Sequence, residues 1–364
     1  MALLTDTPST PLEAPPGFGS ETAPLRIRVL FSPEMTGLDY LPGPEALAND
    51  LAPLSQPVRP LEDGPWVSLT HGFAPKDTDL LVMTAHGSAE LPAFLAELRD
   101  AALFTGPIAL WFWDNHIARA NNQAAAAQAD LLLPSHAFAA PLLTLGGPKS
   151  LSAHLGPHLP ACSAQWSRAE AEALFAQAQA ETGQRSDKLS AHYVDYGFAP
   201  RGQVLRALER SKACPLDLRL LDPDDRSPYF GRSRAERFQD WAEFKTSLCL
   251  PVTEDLSTRF FDALLAGQIP LCAPDIKDLD KVIPPELQQS LPVITIPTMT
   301  PEGVAEAHQE ALRRFEADGA EGAARRHRYV LDHHMLFHRL DRLRTIVASR
   351  PALVSLIASG GQTA

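Results

Sequence analysis

Strand-length apolar runs alternate with helix-length segments along this chain, and they do so in two sets separated by a polar stretch. The first set opens at Leu25–Phe31, with a Pro- and Gly-punctuated loop after it. It continues with a strand and loop at Thr78–Gly87, a helix at Glu90–Phe104 and a strand at Pro107–Trp113. A helix at His116–Ala129 and a short strand at Asp130–His136 complete it. Helices of this length between strands imply βαβ units, hence parallel sheets with helices on both faces. An Ala/Gln/Glu-rich helix at Ser167–Gly183 leads through QRSDK to the second set. There, strands are expected at Ala191–Pro200, 215–222, Ser247–Val252, Ile269–Pro274 and Leu291–Pro297, with helices between them. A long helix starts at Thr300-Pro301-Glu302 and stops at Gly319, and another covers 325–348.

Two sets in 364 residues agree with roughly 150 residues per domain. The expected division is a disordered Pro/Thr/Ser-rich tail at 1–24, a first unit at 25–166 and a linker helix at 167–190. A second unit follows at 191–320, then a C-terminal helical segment, 321–364, that crosses back to the first. Lys and Arg number 32 against 44 Asp and Glu, a net charge of −12, which argues against a nucleic-acid partner or a polybasic membrane surface. No apolar stretch approaches the ~18 to 20 residues of a membrane span, so no transmembrane segment is expected. The N-terminus lacks the basic and apolar regions of a secretory signal, and a cytoplasmic protein is expected. The four cysteines have no paired spacing, so neither a disulfide framework nor a structural zinc site is expected.

The chemistry concentrates in KTSLCLPVTEDLSTRFFDALLAGQIPLCAPDI, Lys245–Ile276. This reads as a buried strand, an acidic hydroxyl-rich loop, a helix opened by Ser257, Thr258 and Arg259, a Gly267 terminator and a second strand. Ligands of open α/β sheets bind outside the carboxyl ends of strands, where this loop lies. A helix N-terminus there offers free N–H groups and a positive dipole end for a diphosphate, and Arg259 adds a forked cationic contact. Glu254 and Asp262 stand eight residues apart, one before the helix and one inside it. Phe260, Phe261, Leu264 and Leu265 are core, and each of the other residues also has an ordinary structural use.

In its order of residues, Ser257, Arg259, Phe260, Asp262, Leu264, Gly267, Ile269 and Pro270, the segment resembles the donor-binding region of GT-B glycosyltransferases, particularly the exostosin-like group. Glu254 and Asp262 also match the spacing of the two glutamates in many retaining GT-B enzymes, with Asp in place of the second Glu. The resemblance spans about 30 residues. It implies an α/β fold of two Rossmann-like, doubly wound parallel-sheet domains facing a cleft. It also implies a nucleotide-sugar donor on the second domain, an acceptor glycan, protein or lipid against the first, and no metal or cofactor. By the same resemblance Glu254 meets the sugar, Asp262 the ribose, and Arg201 or Lys245 the diphosphate.

On the acceptor side Asp114 and His116 follow the strand ending in WFW, and His86 follows LLVMTA. Each can take a proton from an acceptor hydroxyl. Asp114 can equally cap the next helix. Glu34 and Asp39, in the loop after the first strand, can also reach the cleft. Tyr229 and Phe230 can flank a base or serve packing. His327, His334 and His338 fall at helical spacing, yet lack the Glu of a zinc-protease helix, and read as a polar helix face. Phosphate-loop, dinucleotide and nucleophile-elbow motifs are absent from the sequence. Glycosyl transfer is therefore the expected function. A sugar-nucleotide epimerase or phosphorylase on the same fold, or a non-catalytic relative of it, is the alternative.

Overall fold

In the computed structural model the residues described are 27–31, 40–51, 67–68, 80–102, 104–181, 185–350, 353 and 355. The expected tail at 1–24 and the loop carboxylates Glu34 and Asp39 lie outside them. The first sheet contains β1 (Ile27–Leu30), β2 (Val67–Ser68), β3 (Leu80–Ala85), β4 (Ile108–Phe112) and β5 (Leu131–Pro134). All its pairings are parallel, in the order β2-β1-β3-β4-β5. The second sheet contains β6 (Ser186–Val194), β7 (Leu216–Leu221), β8 (Phe244–Cys249), β9 (Ile269–Cys272) and β10 (Ile294–Thr295). It too is parallel, in the order β10-β9-β8-β6-β7. Taken from each first strand, the two orders are one topology. The chain starts in the middle, adds a strand on one side, then returns and grows to the other side. The turning point falls between β1 and β3 in one sheet and between β6 and β8 in the other.

Strands β3, β4 and β5 are buried along their whole length, as central parallel strands covered on both faces should be. The edge strand β7 is only partly covered and carries Asp217 and Arg219. Helices α1 (Pro44–Leu51), α2 (Glu90–Asp100) and α3 (Arg119–Ala126) belong to the first half. Helix α4 (Arg168–Glu181) precedes the second, which holds α5 (Arg201–Ser211), α6 (Arg234–Ala242) and α7 (Thr258–Leu265). The chain ends in α8 (Pro301–His333) and α9 (Leu336–Ala348).

Two second-half strands start earlier than the hydropathy pattern indicates. β6 begins at Ser186, inside the polar QRSDK, and β8 at Phe244 rather than Ser247. Both extensions depend on buried cations with distant partners. Arg185 donates to the Ala266 and Phe244 carbonyls, and Lys245 pairs with Asp187 and Glu316. Gly267 ends α7 as expected. Its φ of +81° is left-handed, and a Cβ there would crowd Phe175 and Ala323. Gly319, expected as a stop, is instead a non-helical break at φ 58° within α8.

The segment 159–168 and the C-terminal helices tie the two halves together. Ser163 pairs with Met335 as an isolated bridge, and its N–H donates to the His334 carbonyl. Arg339 donates to the Pro160 and Ala161 carbonyls, and Arg350 to that of Leu155. One apolar cluster runs through both halves, from Val29 and Trp111 to Phe260, Phe261 and Leu340.

Candidate functional site at the carboxyl edges of the two sheets

The carboxyl edges of the sheets meet. His116, beyond β4, lies 3.4 Å from Asp255, beyond β8. The Phe138 N–H, beyond β5, donates to the Asp278 carboxylate, beyond β9. The His116 and Asp255 side chains are 1% and 4% exposed, so the contact sits in the interior between the halves. Asp255 is fixed by the N–H groups of Val252 and Thr253. Burial opposes its charge, but His116 and these donors outweigh it and hold the carboxyl well below the usual range. Burial likewise works against a charged His116, and Asp255 and Asp114 overcome it to raise the imidazole above its ordinary value. His136, packed edge-on 4.3 Å from His116, is pushed by burial and by His116 down to about 4. Each member of the His116–Asp255 pair thus favours the charged form of the other.

Next to it, on the first half alone, His86 Nδ1 lies 3.2 Å from an Asp114 oxygen. β3 places His86 one residue past its end, and β4 places Asp114 two past its own. Asp114 is therefore no helix cap: α3 begins at Arg119, after Ala118 in a left-handed conformation. Burial works to raise the Asp114 carboxyl, and His86, with His116 and His136, outweighs it and lowers it. His86 Nε2 is buried with no hydrogen-bond partner among the described residues. A ring nitrogen held by a carboxylate, with the other left unpaired, is the arrangement of an oriented proton acceptor.

The second half presents fixed cations at its own turning point. Tyr193, at the end of β6, donates to the Leu248 carbonyl and accepts from the Leu250 N–H, bridging to β8. The Arg259 guanidinium lies 4.3 Å over the Tyr193 ring and that of Arg201 5.0 Å. Arg201 also covers Tyr196 at 5.1 Å. Such stacking over electron-rich faces is favourable for each cation. Two guanidiniums on one ring nonetheless repel, and neither has a carboxylate partner among the described residues. Arg201 is only 9% exposed, donates once to the Val194 carbonyl and leaves Nε unpaired. Burial pushes its guanidinium below the ordinary value, and Arg259 adds to the push. Ser257 heads α7 with no side-chain cap bond, and of the first-turn N–H groups it takes only that of Phe260, through its carbonyl.

The other expected site residues are placed differently. The Asp262 carboxylate is 3% exposed and accepts from Ser163 Oγ at 2.6 Å and Gln165 Nε2 at 2.9 Å, both from the first half's terminal segment. Burial pushes it up to about 6 against these bonds and Arg259. Its hydrogen bonding is spent on joining the halves. Glu254 is half-exposed beside Lys277, and it is its neighbour Asp255 that turns inward. Lys245 stands at the amino end of β8, four residues before Cys249. That is about 13 Å from the carboxyl edge at ~3.3 Å per residue. The structure does not bring it to the site. Thr258 opens α7 beside Arg259.

Tyr229 takes the packing role, bonded to Gln165 and Trp241, and Phe230 lies 5.9 Å from Tyr40. His327 bonds the Leu265 carbonyl and stacks on Phe175, His334 accepts from Arg339, and His338 accepts from the Met335 N–H. No group of three metal-binding side chains occurs among the described residues. No described helix is long and apolar enough to cross a membrane. Residues that sequence reasoning passed over are Tyr193, Asp255 and His136. The one available signal was the row of aromatics in HYVDYGFAPRG, next to Arg201.

No family model and no curated protein matches the sequence. Among solved structures, the chain is similar to sucrose-phosphate synthase from Thermosynechococcus elongatus, at TM-score 0.54 and 12% identity, over 92% of this chain and 100% of that one. It is also similar to an alpha,alpha-trehalose 6-phosphate synthase from Burkholderia multivorans, at TM-score 0.47 and 11% identity, over 78% of this chain and 72% of that one. At such identities the first likeness speaks for the fold, and the fold is that of the GT-B glycosyltransferases: two parallel α/β sheets of one topology whose carboxyl edges meet.

Proposed function

We propose that the protein is a glycosyltransferase of the hexosyltransferase type, moving a sugar from a nucleotide-sugar donor to an acceptor hydroxyl. The observation that carries this reading is the Arg201–Arg259 pair on Tyr193, two unneutralised guanidiniums at the turning point of the second sheet. A diphosphate there would be met by both forks and by the first-turn N–H groups of α7. The same groups would stabilise the charge that develops as the diphosphate leaves. They supply the positive charge themselves, so the reading calls for no metal or cofactor. The exostosin-like order of residues 257–270 belongs to this reading.

The acceptor would enter against the first half, where His86, oriented by Asp114, takes the hydroxyl proton. The His116–Asp255 contact would hold the two edges together and keep water from the donor. A cytoplasmic setting fits the four free cysteines, of which Cys162, Cys249 and Cys272 are buried.

The test is release of nucleoside diphosphate from a panel of UDP-, GDP- and dTDP-hexoses, with wild type and Arg259→Ala. One donor class should be turned over by wild type and lost in the variant. Equal rates in both, or conversion of the donor to an isomer without release, would remove the proposal.

A further inference from the structure

Phe198 is the most exposed large apolar side chain among the described residues, at 69%, and it stands in the loop that links β6 to α5. Isolated apolar side chains on a surface need no explanation. This one is not isolated. Its ring stacks on Tyr196 at 5.5 Å and 18°, near the offset-parallel arrangement that aromatic pairs favour. Arg201 lies over Tyr196 at 5.1 Å and Arg226 at 5.8 Å. Arg226 comes from the loop after β7 and has no carboxylate partner among the described residues.

Three rings and two cations therefore form a continuous row that includes the site described above. Starting from the exposed ring the order is Phe198, Tyr196, Arg201, Tyr193 and Arg259, each within 5.5 Å of the next. The outer end is flat, apolar and open. Beyond Phe198 and Tyr196 the row is cationic, and the buried Arg201 Nε has no hydrogen-bond partner among the described residues. A ligand that fits such a row has a planar ring at one end and a polyanion at the other. A nucleoside diphosphate has that form.

We infer that the Phe198–Tyr196 pair is the platform on which the base of the donor nucleotide stacks. The inference rests on the proposed donor site and assigns it a second part. Stacking reads every base by its face, so the platform contributes affinity with little choice among bases. Phe198 touches water on most of its surface, so its removal leaves the core intact.

Calorimetric titration of UDP, GDP, dTDP and inorganic pyrophosphate into wild type, Phe198→Ala and Phe198→Trp separates the two parts. Phe198→Ala should weaken the best-bound nucleoside diphosphate about tenfold, the lower range for loss of one base stack. Pyrophosphate affinity and melting temperature should stay as in wild type. Phe198→Trp should retain nucleotide affinity, and its indole fluorescence should be quenched by the nucleotide and not by pyrophosphate. Unchanged nucleotide affinity in Phe198→Ala, with pyrophosphate still bound, would overturn the platform and leave the donor site standing. Failure of wild type to bind either pyrophosphate or any nucleotide would overturn both.

Discussion

The two sheets share one strand order, yet their carboxyl edges carry opposite kinds of chemistry. At the first, β3 and β4 present His86 and Asp114, an imidazole held 3.2 Å from a carboxylate. At the second, β6 and the start of α7 lead to Tyr193, Arg201 and Arg259, two guanidiniums stacked on one phenol ring. Topology alone places a crevice at each turning point. What fills the crevice is decided by three or four side chains just past the strand ends. On the proposed reading one half moves a proton and the other holds an anion, and the buried His116–Asp255 contact joins them.

That division of labour can be broken by single substitutions. His86→Ala should lower turnover by about 100- to 10,000-fold, the range for loss of a general base, with nucleotide affinity unchanged. A loss of affinity in that variant would erase the distinction between the edges. Asp114→Asn should give a smaller loss and shift the acidic limb of the pH–rate profile, because the carboxylate orients the ring rather than taking the proton.

Arg201→Ala should weaken nucleoside diphosphate binding by about 10- to 100-fold, the worth of one charge-assisted hydrogen bond at ~1.5–3 kcal/mol. Its melting temperature should fall modestly, since the buried side chain loses one carbonyl bond and its stacking on Tyr193 and Tyr196.

The junction has its own pH signature. Asp262 titrates at about 6 in the fold and near 3.9 when unfolded. Its folded pKa is raised, so the stability it contributes is complete below about pH 4 and is lost as pH rises through about 6. Two units correspond to about 3 kcal/mol. Asp262→Asn should remove that part of the slope between pH 4 and 6 in chemical-denaturation curves. Asp255 acts in the opposite sense, its contribution present above pH 4 and lost in acid, so the difference between wild type and variant is the quantity to read. The same slope in both proteins would place the titration elsewhere. Glu254→Ala is the smallest change: a half-exposed pair with Lys277 is worth under about 1 kcal/mol, and the melting temperature should hardly move.

The alternation of strand and helix made the fold legible from sequence, because parallel strands covered on both faces must be continuous apolar runs. Two strands start earlier than the apolar pattern indicates, where buried cations intervene. The sequence places Arg185 in a polar connection and Lys245 at a donor site, and their partners Ala266, Asp187 and Glu316 lie far away along the chain or on other elements. The site was legible in part for the same reason. Arg201, Arg259, His86 and Asp114 follow strand ends, a position that a sequence reveals. Asp262 was chosen by its spacing from Glu254, and nothing local announces that Ser163 and Gln165, nearly a hundred residues earlier, occupy both its oxygens. Of the adjacent acids Glu254 and Asp255, spacing selects the first while tertiary packing buries the second against His116.

The most direct test of the account is isothermal calorimetry of UDP, GDP and dTDP on wild type and on the Arg201→Ala/Arg259→Ala double variant, both first shown to be folded by circular dichroism. The account predicts that one nucleotide binds wild type and that the double variant loses at least 100-fold in affinity. Undiminished binding by the double variant would contradict it, because the anion would then be held somewhere other than the edge of the second sheet.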